Sequence, residues 1–408
     1  MPSERIRVLH IITRLIVGGA QENTLLTVEH LDRVRYEVTL ASGPSTGPEG
    51  SLEQRIPPAL AFEAIPDLVR PPDPRRDMRA LARLYALMMR NRYHIVHTHT
   101  TKAGILGRCA ARLAGVPVVV HTPHGHAFHG YLNRAGSGAL TYVERWMSRW
   151  SDCIICLTDA ERQDHLRLGV GSPEKFEIVP SGIELERFRA VREPAAQRRG
   201  LLGFSRRGPM VGCVARLVAV KGVEFLLEAV PKIRAAVPEV TVVFVGDGPL
   251  RGQLESRAQA LGLDGGVVFL GLRDDVAELL PLFDVVVLPS LNEGMGRAAV
   301  EAMAAGRPVV GARVSGLRDV IDHEVSGLLV PPADAPAIAD AVVRVLRTPG
   351  LARSLTEAAE RALDAYSVEA MIGRIDALYV SLLKAKRGGT LEESRPTESR
   401  PAAMTSAR

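Results

Sequence analysis

The run Pro-Ser-Leu-Asn-Glu-Gly-Met-Gly-Arg-Ala-Ala-Val-Glu-Ala-Met-Ala-Ala-Gly-Arg-Pro-Val-Val, residues 289–310, constrains this chain more than any other stretch. It reads as loop, helix and strand, and it follows a buried apolar strand, Asp284 to Leu288. Pro289 ends that strand because proline cannot donate to a ladder. Gly294 and Gly296 leave the loop backbone bare, and Ala298 to Ala305 is rich in good helix formers. Gly306 closes the helix and Pro308 opens the next strand. A helix therefore starts at the carboxyl end of a strand, where unpaired amides and the positive end of the dipole favour a phosphate. No Gly-Lys-Ser/Thr ending follows, so this is not a P-loop. Two carboxylates flank the turn, Glu293 in the loop and Glu301 on the helix. A carboxylate beside a nucleotide accepts hydrogen bonds from hydroxyls. Glu301 suits a ribose, and Glu293 the sugar or the leaving phosphate; the alternative for Glu301 is that it caps its own helix.

A chain of 408 residues is too long for one comfortable core and predicts two domains. With 46% hydrophobic and only 4% aromatic residues, those domains are expected to be aliphatic α/β layers. The net charge of +5 is carried almost wholly by arginine, but stacking aromatics are scarce and no recognition module is present, which argues against nucleic acid. Cys153 and Cys156 lie in one apolar strand and point to opposite faces, so they fit neither a zinc nor a redox pair. Ile6 to Ile12 is strand-length and leads into a glycine loop, unlike a secretory leader, and no run reaches the roughly 18 apolar residues of a membrane span. The expected location is the cytoplasm. Two basic helices bear on the inner membrane face: one capped by Asp77 and running through Arg90 with Arg79, Arg83 and Arg90, the other with Arg145, Trp146, Arg149 and Trp150. Peripheral contact with anionic lipid is one reading; a solvated face for the first and core packing or an acceptor surface for the second are the others.

The central stretch resembles the signature of the retaining glycosyltransferases of family 4, in which two glutamates eight positions apart flank a Glu-Gly-Phe-Gly loop and an Ala-rich helix. Glu293 and Glu301 keep that spacing, whereas Met295 and Arg297 stand where the family more often has Phe and an apolar residue. The resemblance spans about residues 5 to 385. It implies the GT-B architecture, α/β with two Rossmann-like doubly wound domains facing each other across a cleft. The expected divisions are an acceptor-binding domain (1–185), a nucleotide-sugar-binding domain (186–365), a helix crossing back to the first domain (366–388) and a disordered tail (389–408). Phe188 to Gly208 is expected to hold the linker and the first helix of the second half.

Other motifs follow in the order this resemblance implies. Gly18 and Gly19, between the first strand and the helical Glu22 to His30, correspond to a loop over the donor diphosphate and beside the acceptor. The strand Val116 to Thr122 delivers a loop with His121, His124, His126 and His129. Several histidines raise a metal question, but the loop offers no carboxylate or cysteine to complete a site. The resemblance implies that His124 contacts the donor sugar; an acceptor-binding, structural or metal role is the alternative. In the second half, Arg216 and Lys221 follow the strand Met210 to Ala215, and a fixed pair of cations there meets the charge that grows on a leaving diphosphate. The blander alternative is two surface cations. Gly246-Asp247-Gly248-Pro249 lacks the third glycine of a dinucleotide fingerprint, and the resemblance implies that it lines the cleft near the nucleotide. It also implies backbone contacts from Leu272 and Arg273 to the base, and donor binding by Gly294, Met295, Gly296, Arg297 and Glu301.

The implied reaction is sugar transfer with retention, relying on His124, Arg216, Lys221 and Glu293. The implied donor is a nucleoside diphosphate sugar, UDP-linked in the first instance. The acceptor is a glycan, a lipid-linked intermediate or a small molecule, as in surface polysaccharide or glycolipid synthesis. No metal or other cofactor is expected. Competing readings are a sugar-nucleotide 2-epimerase of the same architecture, which would work without an acceptor, and a non-catalytic nucleotide-sugar-binding protein.

Overall fold

A computed structural model describes residues 5–46, 50–125, 134–190 and 208–386. Two parallel sheets carry the chain. The first has the order β3-β2-β1-β4-β5-β6-β7, built from β1 (Ile6–Arg14), β2 (Tyr36–Gly43), β3 (Ala61–Ala64), β4 (Ile95–His99), β5 (Val118–Thr122), β6 (Cys153–Cys156) and β7 (Phe176–Ile178). The second has the order β10-β9-β8-β11-β12-β13, built from β8 (Met210–Val214), β9 (Thr241–Val245), β10 (Val267–Phe269), β11 (Val285–Leu288), β12 (Val309–Ala312) and β13 (Leu328–Val330). Both orders reverse at one point, β1/β4 in the first sheet and β8/β11 in the second, and such switch points open crevices at the carboxyl ends of the strands. Runs such as Thr-Val-Val-Phe-Val in β9 are buried throughout because helices cover both faces, and each sheet accordingly separates two apolar cores.

The two thiols of β6 illustrate the alternation: Cys153 packs into the core under one face and Cys156 into a smaller cluster under the other, and both are free. Where the sequence reading places a helix cap at Asp77, the structure places it four residues earlier. Asp73 accepts from the amides of Arg75 and Arg76, and Pro74 follows at the first helical position, where its fixed φ fits and its missing N–H costs nothing. A later helix likewise starts on a proline, at Pro349, ends at Glu360, and gives way to a 3₁₀ turn at Leu363–Tyr366. Of the expected linker, residues 191–207 lie outside the described residues, as do His126, His129 and the expected tail from 389 onward.

The last helix, Val368–Lys386, leaves the second domain and packs on the first. Ser367 caps it through the amide of Ala370. Met371, Ile375, Tyr379 and Leu383 enter the core beneath β1 and β5, one helical stripe at spacings of four. Asp376 anchors the helix by accepting two bonds from Arg35 Nη1 at 2.7 Å and one from Tyr36 Oη at 2.7 Å. Asp376→Ala leaves the Tyr36 hydroxyl without its acceptor and should cost about 1–3 kcal/mol in urea unfolding. It should also raise amide exchange in residues 368–386, and a stability and exchange pattern equal to wild type would contradict this anchoring.

Candidate functional site

The site forms where the two switch points face each other. From the second domain comes the segment after β11. Glu293 accepts from Lys221 Nζ at 2.6 Å and from Ser290 Oγ at 2.8 Å, so the residues expected to act as a separate cation and carboxylate are one ion pair. Backbone bonds from Leu291 N and Asn292 N to Val220 O tie the two loops together. Arg216, half-buried at the end of β8, makes no ion pair among the described residues and is the cation open to a ligand. The helix Arg297–Ala304 starts from Gly296 with φ +83° and has no side-chain cap, so Glu301 does not cap it. Glu301 lies a turn further on, 3.8 Å from Arg297, with burial pushing its carboxyl above the usual range against the pull of that guanidinium.

From the first domain come two loops. The Gly18–Gly19 loop enters the helix Gly19–His30, and a Cβ on Gly19 would stand 2.9 Å from Arg297 Cδ. The His124–Gly125 step touches the second domain directly: a Cβ on Gly294 would lie 3.0 Å from Gly125 Cα. A side chain at Gly19 would have to displace Arg297, and one at Gly294 would require the Gly125 backbone to give by a few tenths of an ångström. His124 holds a left-handed φ of +62°, rare away from glycine, which points to a conformation imposed by its surroundings. Glu161, fully buried, imposes part of it by accepting from Gly125 N at 2.8 Å and Leu157 N at 2.7 Å. Burial raises the Glu161 carboxyl, and these two amides pull the other way.

Arg297 closes the seam. Its Nη1 donates to Gly182 O at 2.8 Å, its Nη2 to Glu22 at 3.3 Å, and its side chain is only 13% exposed. The residue that departs from the resembled pattern is thus a tie between the domains. Met295, expected among ligand-facing residues, turns its side chain inward: it is 2% exposed and its Sδ accepts from Ser181 N at 3.2 Å. Only its backbone is left for a ligand. Gly246 and Gly248 lie against the carbonyls of Ala215 and Leu217, which packs their loop onto that of Arg216. Asp247 is engaged locally by Gly248 N at 2.7 Å and Arg251 at 2.9 Å, and Arg273 is engaged by its own neighbour Asp275. Leu272 is half exposed and faces Gly50 of the first domain.

Sequence reasoning missed what lies behind His124. Tyr379, His97, His10 and His99 form a buried hydrogen-bonded group that ends at His124 Nε2, 2.9 Å from His99 Nδ1. The signal was present: His97 and His99 are two apart on β4 and so share a face, and His10 pairs with His97 in register. Burial lowers His10 and His124 to about 3 and His97, His99 and His121 well below the usual range, so all five are neutral near pH 7. The ring nitrogens of His10, His97 and His99 lie within 4.8 Å of one another, but they are already used in bonds between rings and with Tyr379.

Residues 17–187 match the family described as Glycosyltransferase Family 4, and residues 208–348 match Glycosyl transferases group 1. The chain is 29% identical over 385 residues to UDP-Gal:alpha-D-GlcNAc-diphosphoundecaprenol alpha-1,3-galactosyltransferase of Escherichia coli, covering 94% of this chain and 98% of that one. It is 32% identical to D-inositol 3-phosphate glycosyltransferase of Saccharomonospora viridis, covering 74% and 73%. Among solved structures, Anabaena HepE in complex with UDP and glucose superposes with a TM-score of 0.79 at 22% identity, covering 92% of this chain and 100% of that one. Its fold is the GT-B fold.

Two outcomes follow from the geometry. Gly294→Ala should push the two loops apart by the few tenths of an ångström that backbone contact forbids, lowering any activity of the site at least tenfold with little change in melting temperature; unchanged activity would refute the contact. The five depressed histidines also set a pH dependence. A folded pKa below the unfolded one means that the unfolded chain takes up protons first, so their stabilisation is complete above about pH 6.5 and is lost as pH falls toward 3. The loss should grow as pH falls further below that point. Glu161 and Glu301, raised by burial, oppose this, but two carboxylates do not outweigh five rings. Urea unfolding at pH 7.5 and 5.5 should show a clear loss of stability at the lower pH, and equal stability would count against the neutral cluster.

Proposed function

The chain belongs to the group 1 glycosyltransferases of family 4, and from that premise we propose that it transfers a sugar from a uridine diphosphate sugar to an acceptor with retention of anomeric configuration. The observation that carries the reading is convergence: Gly19 and Gly125 of the first domain meet Arg297 and Gly294 of the second, beside Arg216 and the Lys221–Glu293 pair. The diphosphate would sit at the bare amides before Arg297–Ala304, met by Arg216 outright and by Lys221 in competition with Glu293. Glu301 would take the ribose hydroxyls, and His124 an oxygen of the sugar or its phosphate. As the glycosidic bond breaks, charge grows on the diphosphate and these cations hold it, while the acceptor hydroxyl attacks from the same face. A metal is not required by this arrangement, since two cations and a helix terminus supply the positive charge.

The acceptor we favour is a lipid-linked glycan intermediate. Tyr142, Arg145, Trp146 and Arg149 are all exposed and lie at spacings of three and four, one stripe of the helix Arg134–Met147 and the turn after it, with Tyr142 75% and Trp146 47% exposed. Aromatic rings and arginines on one stripe suit the headgroup level of an anionic membrane. The basic helix Pro74–Asn91 is a weaker candidate, because Arg79 and Arg83 pair with Asp67 and Arg90 pairs with Glu63. No helix among the described residues is long and apolar enough to cross a membrane.

Incubation with a panel of UDP sugars and a polyprenyl-diphosphate glycan, followed by proton NMR of the product anomeric signal, tests the reaction. An axial sugar donor should give an axial product, and Lys221→Ala and Glu293→Ala should each lower kcat/KM at least tenfold. Inverted product, an epimerised free sugar nucleotide, or rates within twofold of wild type would defeat the proposal. Sedimentation with anionic vesicles should weaken severalfold in Trp146→Ser, and undiminished binding would remove the membrane stripe from the account.

A further inference from the structure

The chain of rings behind His124 has a direction. Thr122 Oγ1 lies 2.7 Å from His97 Nε2, its only hydrogen bond among the described residues. His97 Nδ1 lies 2.7 Å from Tyr379 Oη, which lies 3.3 Å from His10 Nε2. His10 Nδ1 lies 3.0 Å from His99 Nε2, and His99 Nδ1 lies 2.9 Å from His124 Nε2. His124 Nδ1 is shut off from solvent and has no partner among the described residues. A neutral imidazole has one donor and one acceptor nitrogen, and a hydroxyl has one hydrogen, so as long as each hydrogen between two members of the chain must find an acceptor, fixing any one link fixes them all. If the Thr122 hydrogen points at His97, then His97 donates to Tyr379, Tyr379 to His10, His10 to His99 and His99 to His124. Every hydrogen in the buried chain then has an acceptor, except the last, on His124 Nδ1. Reversal would strand the buried Thr122 hydrogen and turn His124 Nδ1 into a bare lone pair.

We propose that Thr122, His97, Tyr379, His10 and His99 position His124 as the Nδ1–H tautomer, a preset hydrogen-bond donor that meets an oxygen of the transferred sugar. The identity of that oxygen rests on the glycosyl-transfer reading; the direction of the chain does not. Burial keeps the rings uncharged, which the one-donor, one-acceptor rule requires. A buried donor without a partner is rare in a folded protein and marks a place where a ligand completes the bonding. Because Tyr379 belongs to the helix that crosses from the second domain, the chain also makes the donor state of His124 depend on that helix staying docked.

Long-range ¹H–¹⁵N correlation of ¹⁵N-histidine-labelled protein reports which nitrogen of each ring carries the proton. His10, His97, His99 and His124 should all be Nδ1–H. Tyr379→Phe and Thr122→Val each remove one hydroxyl and keep the shape of the side chain, and each should move His124 toward Nε2–H. Both should lower kcat for transfer about fivefold or more and change the Kd for UDP, which lacks the sugar, by less than twofold. An Nε2–H His124 in the wild-type protein, or variants with an unchanged spectrum and rate, would overturn the proposal. So would one equivalent of metal by elemental analysis with ring nitrogens of the cluster as its ligands. Should the four rings be Nδ1–H in a protein that transfers no sugar, the reading of the reaction falls and the chain stands.

Discussion

Everything in the cleft depends on two backbones in contact, Gly125 and Gly294. The close approach of these glycines sets how near the two domains come, and a Cβ on Gly294 would stand only 3.0 Å from the Gly125 backbone. Around that contact the domains are tied by Thr158 Oγ1 donating to Gly294 O at 3.3 Å, Ala160 N donating to Asp319 at 2.9 Å, and the Arg297 bonds to Gly182 and Glu22. An apolar core that joins Leu157, Ile183 and Phe188 to Met295 and Leu317 lies beneath. The apolar seam supplies cohesion, and the polar ties fix alignment. That division is what a site assembled from two bodies needs, since its geometry fails with small displacements.

Charge in the site is arranged in pairs rather than left loose. Lys221 and Glu293 are 25% and 12% exposed, and Arg297 and Glu301 13% and 15%, so each charge is partly stripped of water and each pair repays much of that cost internally. A ligand with two phosphates exchanges one partner for another instead of meeting bare cations. Among the described residues Arg216 is the exception, and in the proposed reading it would meet the diphosphate without first giving up a partner. The histidines follow the opposite strategy. They are kept neutral, and their order comes from hydrogen bonds that can run in only one direction at a time.

Local patterns made the fold and half of the site legible. Glycine after a strand, an Ala-rich run after the glycine, and carboxylates eight apart are features of one short stretch, and Glu293, Gly294 and Glu301 stand where that stretch puts them. Arg216 and Lys221 were legible for the same reason. Features that need two distant segments were not. His10 reaches His99 only through the register of β1 on β4, and Tyr379 reaches His10 across 369 residues of sequence. Nothing near Met295 announces that its side chain faces Ser181 rather than the cleft, because a methionine in a glycine loop looks the same either way. Asp77 was mistaken for a helix cap because both it and Asp73 precede a helical run, and only the fixed φ of Pro74 separates them.

The central claim is that the cleft between the switch points is a binding site for a nucleoside diphosphate held by Arg216, Lys221 and Glu301. Calorimetric titration of UDP, GDP and ADP into the protein without added metal tests it most directly. Saturable one-to-one binding of UDP is expected, at least tenfold tighter than of the other two, and weakened at least tenfold by Glu301→Ala and by Lys221→Ala. No binding of any of the three, or UDP binding that both variants leave unchanged, would contradict it.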